Sequence, residues 1–108
     1  MKFDTVMKDA ITNKKKVKIS FFSKEDNKII ERLCAPFDIG PSRKYHDQSD
    51  RYHFWDYESD KKNHVLSLVD GQVTNILITN EPFEPSSIIT WDISKNPWFI
   101  KRDWGIFS

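Results

Sequence analysis

The stretch Arg51-Tyr-His-Phe-Trp-Asp-Tyr57 decides the fold of this chain, because its four aromatic rings follow a pattern typical of a β-strand. Alternate side chains of an extended chain point to opposite faces. The residues then divide into two faces, with Tyr52, Phe54 and Asp56 on one and Arg51, His53, Trp55 and Tyr57 on the other. We expect the Phe54 face to supply core, since aromatic side chains favour a half-buried pleated surface.

The Arg51 face allows two interpretations. It combines a cation, a titratable ring and a large π surface, which suit a bound ligand or a stacked base. Alternatively, the C-terminal segment covers this face with its three further tryptophans. Small domains use their aromatic residues for the core first, which favours the second interpretation. The first interpretation stays open.

Composition limits the class of protein. The 108 residues predict one domain. With 17 basic and 16 acidic residues, the net charge of +1 gives no general reason to expect a nucleic-acid-binding surface. The single cysteine, Cys34, excludes an intramolecular disulfide and fits a reducing compartment. No apolar run approaches the roughly 18 residues of a membrane span, so we expect a cytoplasmic protein without a membrane partner.

The periodicity of apolar residues predicts one helix followed by strands. The predicted elements are a helix over 3–12, strands over 16–21, 29–35, 51–57, 64–69 and 72–79, and a last short strand around 88–91. Pro36 is expected to end the second strand, and Asp70-Gly71 predicts a tight hairpin. Short strands in meander order after a helix favour a mainly β (α+β) fold, a small curled sheet or SH3/Sm-like barrel of about five strands. Residues 16–79 form this β core, and 80–108 are an aromatic C-terminal extension that must pack down.

With this order of elements, residues 9–88 resemble a WYL domain, an Sm-like module of bacterial transcription regulators. The resemblance begins with Ala10-Ile11 and the alternating strand 16–21. It continues with Arg32-Leu-Cys-Ala-Pro36, and with Tyr52 in the name-giving triplet. The later matches are Leu68-Val-Asp-Gly-Gln-Val73 and Glu81-Pro82-Phe83.

The resemblance implies a regulatory module that binds a small ligand, a nucleotide or nucleic acid through arginines. Gln72 stands where the family usually has one of these arginines. The remaining basic–aromatic cluster predicts the ligand-binding residues Arg43, Lys44, Tyr45, His46, Arg51, Tyr52, His53 and Trp55. Arginine would pair with phosphate, and the rings would stack on bases.

Two other functions stay open. The first is a protein-interaction module or homodimer that uses the aromatic C-terminal segment, with Trp98 or Trp104 exposed. The second is an enzyme, for which the ingredients would be His46, His53, His64, Asp47, Asp50 and Asp56. The spacing of these histidines fits no ligand set on one helix or strand. We therefore favour a non-enzymatic binding module, with no catalytic residue, metal or cofactor predicted.

Overall fold

Five antiparallel strands form one sheet, and a short helix precedes them in a computed structural model that describes residues 1–42, 47–60 and 62–108. In chain order the elements are α1 (Asp4–Asn13), β1 (Lys15–Ser23), β2 (Lys28–Pro41), β3 (Asp50–Asp56), β4 (Val65–Val69), a 3-10 turn (Asp70–Gln72), β5 (Val73–Pro82), the one-turn helix α2 (Pro85–Ile88) and a second 3-10 turn (Gly105–Phe107). The strand order is β4-β3-β2-β1-β5. The predicted mainly β fold of five strands and one N-terminal helix is confirmed.

The connection between β4 and β5 forces the sheet to curl. These strands are the two edges of the sheet, yet only the turn Asp70–Gln72 joins them. The four Cα steps from Val69 to Val73 can span at most about 15 Å. In a flat sheet of five strands the edges would lie about 19 Å apart. The sheet therefore bends until its edges approach each other, an architecture compatible with SH3- and Sm-like barrels.

The same connection corrects the predicted hairpin at Asp70-Gly71. β4 pairs with β3, and β5 pairs with β1, so the two strands joined by this turn are not hydrogen-bonded to each other. Gln72 takes part in the turn instead: its carboxamide accepts from the amide of Val69 at 3.4 Å and donates to the carbonyl of Phe22 at 3.4 Å. The hydrophobic pattern identified both strands, but it could not show their partners.

Pro36 does not end β2, contrary to the sequence prediction. The strand continues to Pro41 and changes its neighbour on the way, because Cys34 faces Val17 of β1 and also Asp56 of β3. Beyond Cys34 the strand pairs with β3, with a register shift between Pro36 and Asp38. A proline without an amide hydrogen is tolerated at such an irregularity.

The predicted last strand around 88–91 is also wrong, because Ile88 ends the one-turn helix α2 and residues 89–91 belong to no strand. Residues 83–108, which we call the strap, then run back over the sheet. The strap is tied to the C-terminal end of α1: the Phe83 amide donates to the carbonyl of Lys14 at 2.9 Å, and the Trp104 indole donates to the carbonyl of Ile11 at 2.9 Å. The aromatic extension is thus packed onto the sheet and helix, as predicted.

The core lies between the inner face of the sheet, α1 and the strap. Helix α1 contributes Met7, Ala10 and Ile11, which recur at helical spacing and are fully buried. No helix in the described part of the chain has the length and apolar character that crossing a bilayer requires.

Tyr52 fixes the start of α1 to the turn that closes the sheet. Its ring is fully buried, and its hydroxyl accepts a hydrogen bond from the amide of Phe3 at 2.7 Å. The same hydroxyl donates to the Asp70 carboxylate at 3.1 Å, which also accepts from the amide of Lys2 at 3.0 Å. Burial and the neighbouring carboxylates raise the pKa of Tyr52. Tyr52 therefore connects β3 to the start of α1 and to the turn Asp70–Gln72.

We expect Tyr52→Phe to lower the free energy of unfolding by about 1–2 kcal/mol, because it leaves the Phe3 amide and the Asp70 carboxylate without their shared partner. Urea unfolding followed by circular dichroism measures the change. Tyr57→Phe is the matched control, since it removes a hydroxyl from a half-buried ring outside this bridge. Equal losses in the two variants would contradict the bridging role.

Candidate ligand-binding cleft

The predicted ligand residues do not form one exposed cluster. Four of them, Arg43, Lys44, Tyr45 and His46, lie outside the described residues. The side chain of Arg51 is largely buried, and the residue is only 8% exposed. Its guanidinium forms an ion pair with Asp47 at 3.1 Å. Arg51 therefore lies within the fold and not on an open surface.

The other three predicted residues occupy different places. Tyr52 lies in the core, with its hydroxyl bonded as described above. Trp55 is half-buried and stacks on the ring of His64, with ring centres 4.9 Å apart. His53 is 8% exposed and borders a cleft between the sheet and the strap. Among the four predicted ligand-binding residues that the structure describes, His53 is the one that lines this cleft.

A buried carboxylate attaches the strap to the sheet. Asp38 follows the register shift in β2, and one of its oxygens accepts from the amide of Ile100 at 3.0 Å. The amide of Phe99 donates to the carboxylate at 3.1 Å, and the Arg102 guanidinium at 3.3 Å. Charge-assisted bonds of this kind are stronger than neutral ones. Asp38 thus holds three groups of the strap at one point.

Arg102, the cation that pairs with Asp38, also has a buried side chain. The Arg102 side chain is 0% exposed and lies against the rings of Trp98 and Trp104, at 4.2 and 4.5 Å from their centres. It also donates to the carbonyls of Phe37 and Ile100. Burial lowers the pKa of Arg102 to about 10, so it still carries its charge at neutral pH. A buried pair stays charged only when its remaining donors are satisfied, and these carbonyls satisfy them.

The cleft has a volume of about 260 Å³ and aromatic walls. Its described lining comes from β2, β3, β4 and the strap: Phe37, Asp38, Pro41, Ser42, His53, Val65, Ser67, Trp91, Asn96, Pro97, Trp98 and Phe99. Phe37 connects the two sides, since its ring contacts His53, Trp91 and Trp98 at centre distances of 6.0, 5.6 and 5.8 Å. An apolar cavity of ~150 Å³ already holds benzene. A flat ligand of two fused rings therefore fits this cleft.

Phe99 borders the cleft and packs directly on Gly40. A Cβ atom at position 40 would come within 2.3 Å of the Phe99 ring, so only glycine leaves room for it. Phe99 itself remains 57% exposed.

Both ring nitrogens of His53 are engaged. Nε2 lies 2.8 Å from the carbonyl oxygen of Gly40, and Nδ1 lies 2.7 Å from Oγ of Ser67. Burial lowers the pKa of His53 below its usual 6.5, against the opposing effects of the Gly40 carbonyl and Asp38. The ring is therefore neutral at pH 7 and forms part of the cleft floor.

The electrostatic character of the cleft differs from the one expected from the sequence. Among its described lining residues, Asp38 is charged and none is lysine or arginine. The described lining therefore offers no cation that could pair with an anionic phosphate.

A second, polar cleft of about 430 Å³ lies beside the loop between β1 and β2. It contains the ion pair of Arg32 and Asp56 at 3.5 Å and the ring of His64, whose Nδ1 bonds the Asp56 carbonyl oxygen at 2.8 Å. Within the described residues, no group of three or more histidine, cysteine or acidic side chains could hold a metal ion.

Cys34 is buried where β2 changes its neighbour, and burial raises the pKa of its thiol. It therefore stays protonated at neutral pH and is a packing residue.

No family model matches this chain, and no curated protein or solved structure is significantly similar to it. The resemblance to WYL domains thus rests on the sequence motifs alone.

The sequence reasoning missed Asp38, Ser67 and Arg102. The one local signal was Asp38 between Phe37 and Ile39, since an acidic residue inside an apolar run needs a partner when buried. Nothing local identified that partner, because Arg102 lies far along the chain.

We expect Arg102→Met to lower the free energy of unfolding by roughly 3–5 kcal/mol, since it leaves the Asp38 charge buried without its cation. Adding Asp38→Asn should recover at least half of this loss, because an uncharged amide oxygen can still accept from the Phe99 and Ile100 amides. Urea unfolding of the single and double variants measures both values.

Lys18→Met provides the control for this cycle. Its pair with Glu31 at 3.8 Å is exposed on both sides, at 53% and 60%, and exposed pairs contribute about 0–1 kcal/mol. A loss below 1 kcal/mol in Arg102→Met, or no recovery in the double variant, would show that the buried pair does not hold the strap.

Stability should fall as the pH decreases through about 6.5, partly because of His53. The unfolded chain takes up a proton on this histidine near pH 6.5, whereas the folded chain takes it up only at lower pH. The unfolded state then binds more protons, so acid favours unfolding. We expect His53→Gln to lose less stability than the unchanged protein between pH 7.5 and 5.5. Parallel pH dependences would contradict the lowered pKa.

Proposed function

We propose that this protein is a non-enzymatic binding module for a small, flat, uncharged ligand. The site is the cleft between the strap and strands β3 and β4. The observation that carries this proposal is the combination of an aromatic-walled cleft of about 260 Å³ with a few polar groups on its floor. Ligand sites are typically concave, mostly apolar and fitted with a small number of fixed polar groups.

The strap supports this role because its buried attachment preorganises the cleft. Trp98 is fixed by its indole hydrogen bond to the carbonyl of Phe107 at 2.8 Å and by contact with Arg102. Trp91 packs against Trp98 with ring centres 6.1 Å apart. Groups held in place before binding lose little freedom on binding. The resemblance to WYL domains, which sense ligands in bacterial regulators, favours the same class of function.

A nucleotide or nucleic-acid ligand was the sequence-based expectation, through Arg51 and its neighbours. The cleft favours an uncharged ligand instead, because its described lining contains no lysine or arginine and the Asp38 charge is already paired with Arg102. A phosphate-bearing ligand would have to use residues other than these.

Nuclear magnetic resonance can test the proposal with indole, benzofuran, quinoline and indole-3-carboxylate. We expect the uncharged rings to shift backbone amides of Ser67 and Val65 and the indole signal of Trp91, and the carboxylate to bind more weakly. Trp91→Leu should weaken binding at least fivefold, since one stacking contact contributes about 1–3 kcal/mol. Trp55→Leu is the matched control, because Trp55 is also half-buried but lies outside the cleft lining.

Three outcomes would contradict the proposal. One is no binding by any member of the panel at millimolar concentration. Another is equal weakening by the two tryptophan variants. The third is tight binding of adenosine monophosphate that salt weakens and Arg51→Ala abolishes, which would favour the basic–aromatic strand face.

An interaction module or homodimer is the second candidate. Trp104 is buried and Trp98 half-buried, but Ile106 is 87% exposed near the end of the strap. Diffusion measurements on the same samples distinguish this function. Diffusion that slows as the protein concentration rises, with no response to the panel, would support self-association.

A further inference from the structure

The hydroxyl hydrogen of Ser67 is directed to the ring of His53. The Gly40 carbonyl oxygen can only accept a hydrogen bond, so Nε2 of His53 must carry the ring hydrogen in the 2.8 Å contact. In a neutral imidazole the other nitrogen is then an acceptor. Nδ1 of His53 therefore accepts from Ser67, whose Oγ lies 2.7 Å away.

This arrangement determines which groups Ser67 can offer to a ligand. A serine hydroxyl has one hydrogen to donate and two lone pairs. With the hydrogen directed to His53, the Ser67 oxygen presents lone pairs alone to the cleft that it lines. The Asp38 carboxylate also lines the cleft, but it already accepts from the amides of Phe99 and Ile100 and from Arg102. At Ser67 the cleft therefore accepts a hydrogen bond from its ligand and does not donate one.

We propose that the cleft selects flat aromatic heterocycles that carry an N–H donor on the ring edge. The Ser67 oxygen accepts this hydrogen, and His53 is the positioning residue that keeps the hydroxyl turned. This inference rests on the ligand-binding function proposed above and specifies its chemical class.

The walls of the cleft agree with this class. Phe37, Trp91 and Trp98 provide aromatic surfaces for the ring faces, which suit offset or edge-to-face contacts. The side chains of Ser42 and Asn96, which also line the cleft, can both donate and accept, so they do not discriminate between ligands. A ring that carries only acceptors would place its lone pairs against those of Ser67.

Indole and benzofuran form the test pair, because they share size and shape and differ in the N–H group that benzofuran replaces by oxygen. We expect the unchanged protein to bind indole about tenfold more tightly than benzofuran, as one neutral hydrogen bond allows. Dissociation constants come from titrations followed by the amide signals of the cleft. Equal affinities would overturn this inference and leave the ligand-binding function standing. Binding of neither compound would overturn both.

Variants at position 67 separate the role of the hydroxyl from its packing. Ser67→Ala should reduce the preference for indole to twofold or less while benzofuran binding changes little. Ser67→Thr, which restores a hydroxyl, should recover the preference. Ser86→Ala, in the exposed part of α2, is the control and should keep it. A tenfold preference that persists in Ser67→Ala would overturn the assignment of Ser67.

The ring nitrogens of His53 give an independent readout that needs no ligand. Their nitrogen-15 chemical shifts should report hydrogen on Nε2 and a lone pair on Nδ1 at pH 7.5. Hydrogen on Nδ1 would overturn the inference, because Ser67 would then be free to donate to the cleft.

Discussion

The short link between the two edge strands is the constraint on which the rest of the structure depends. Because only Asp70–Gln72 joins β4 to β5, the sheet must curl, and the buried residues of α1 pack into the core on its inner face. Tyr52 connects the link to the start of this helix. The strap completes the same core, since Phe83 and Trp104 bond the C-terminal end of α1.

The strap stays in place through a largely buried ion pair. Asp38 and Arg102 would be expensive to bury alone, but the amides of Phe99 and Ile100 and two backbone carbonyls complete their bonding. The same arrangement sets the tryptophans around the cleft. The pair of Asp38 and Arg102 therefore both attaches the strap and positions the tryptophans of the cleft. A change that weakens the pair should also deform the cleft.

The sequence predicted the elements better than their partners. Alternating residues identified β1, β3 and β4, and helical spacing identified α1, because these signals are local. The hairpin at Asp70-Gly71 was wrong, since a turn signal cannot show which strands a curled sheet brings together. For the site, local patterning identified His53 but not Asp38, Ser67 or Arg102. Their roles arise from contacts between distant parts of the chain, and such contacts leave no local pattern.

The packing of Phe99 on Gly40 couples two positions in the evolution of this chain. Any side chain at position 40 would meet the ring in its present position, so a substitution there requires the exposed Phe99 ring to move or a smaller residue at position 99. The two positions are therefore expected to change together. A descendant that keeps the aromatic residue should keep the glycine. The opposite charges at 38 and 102 should likewise change together, because either charge alone would be buried without its partner.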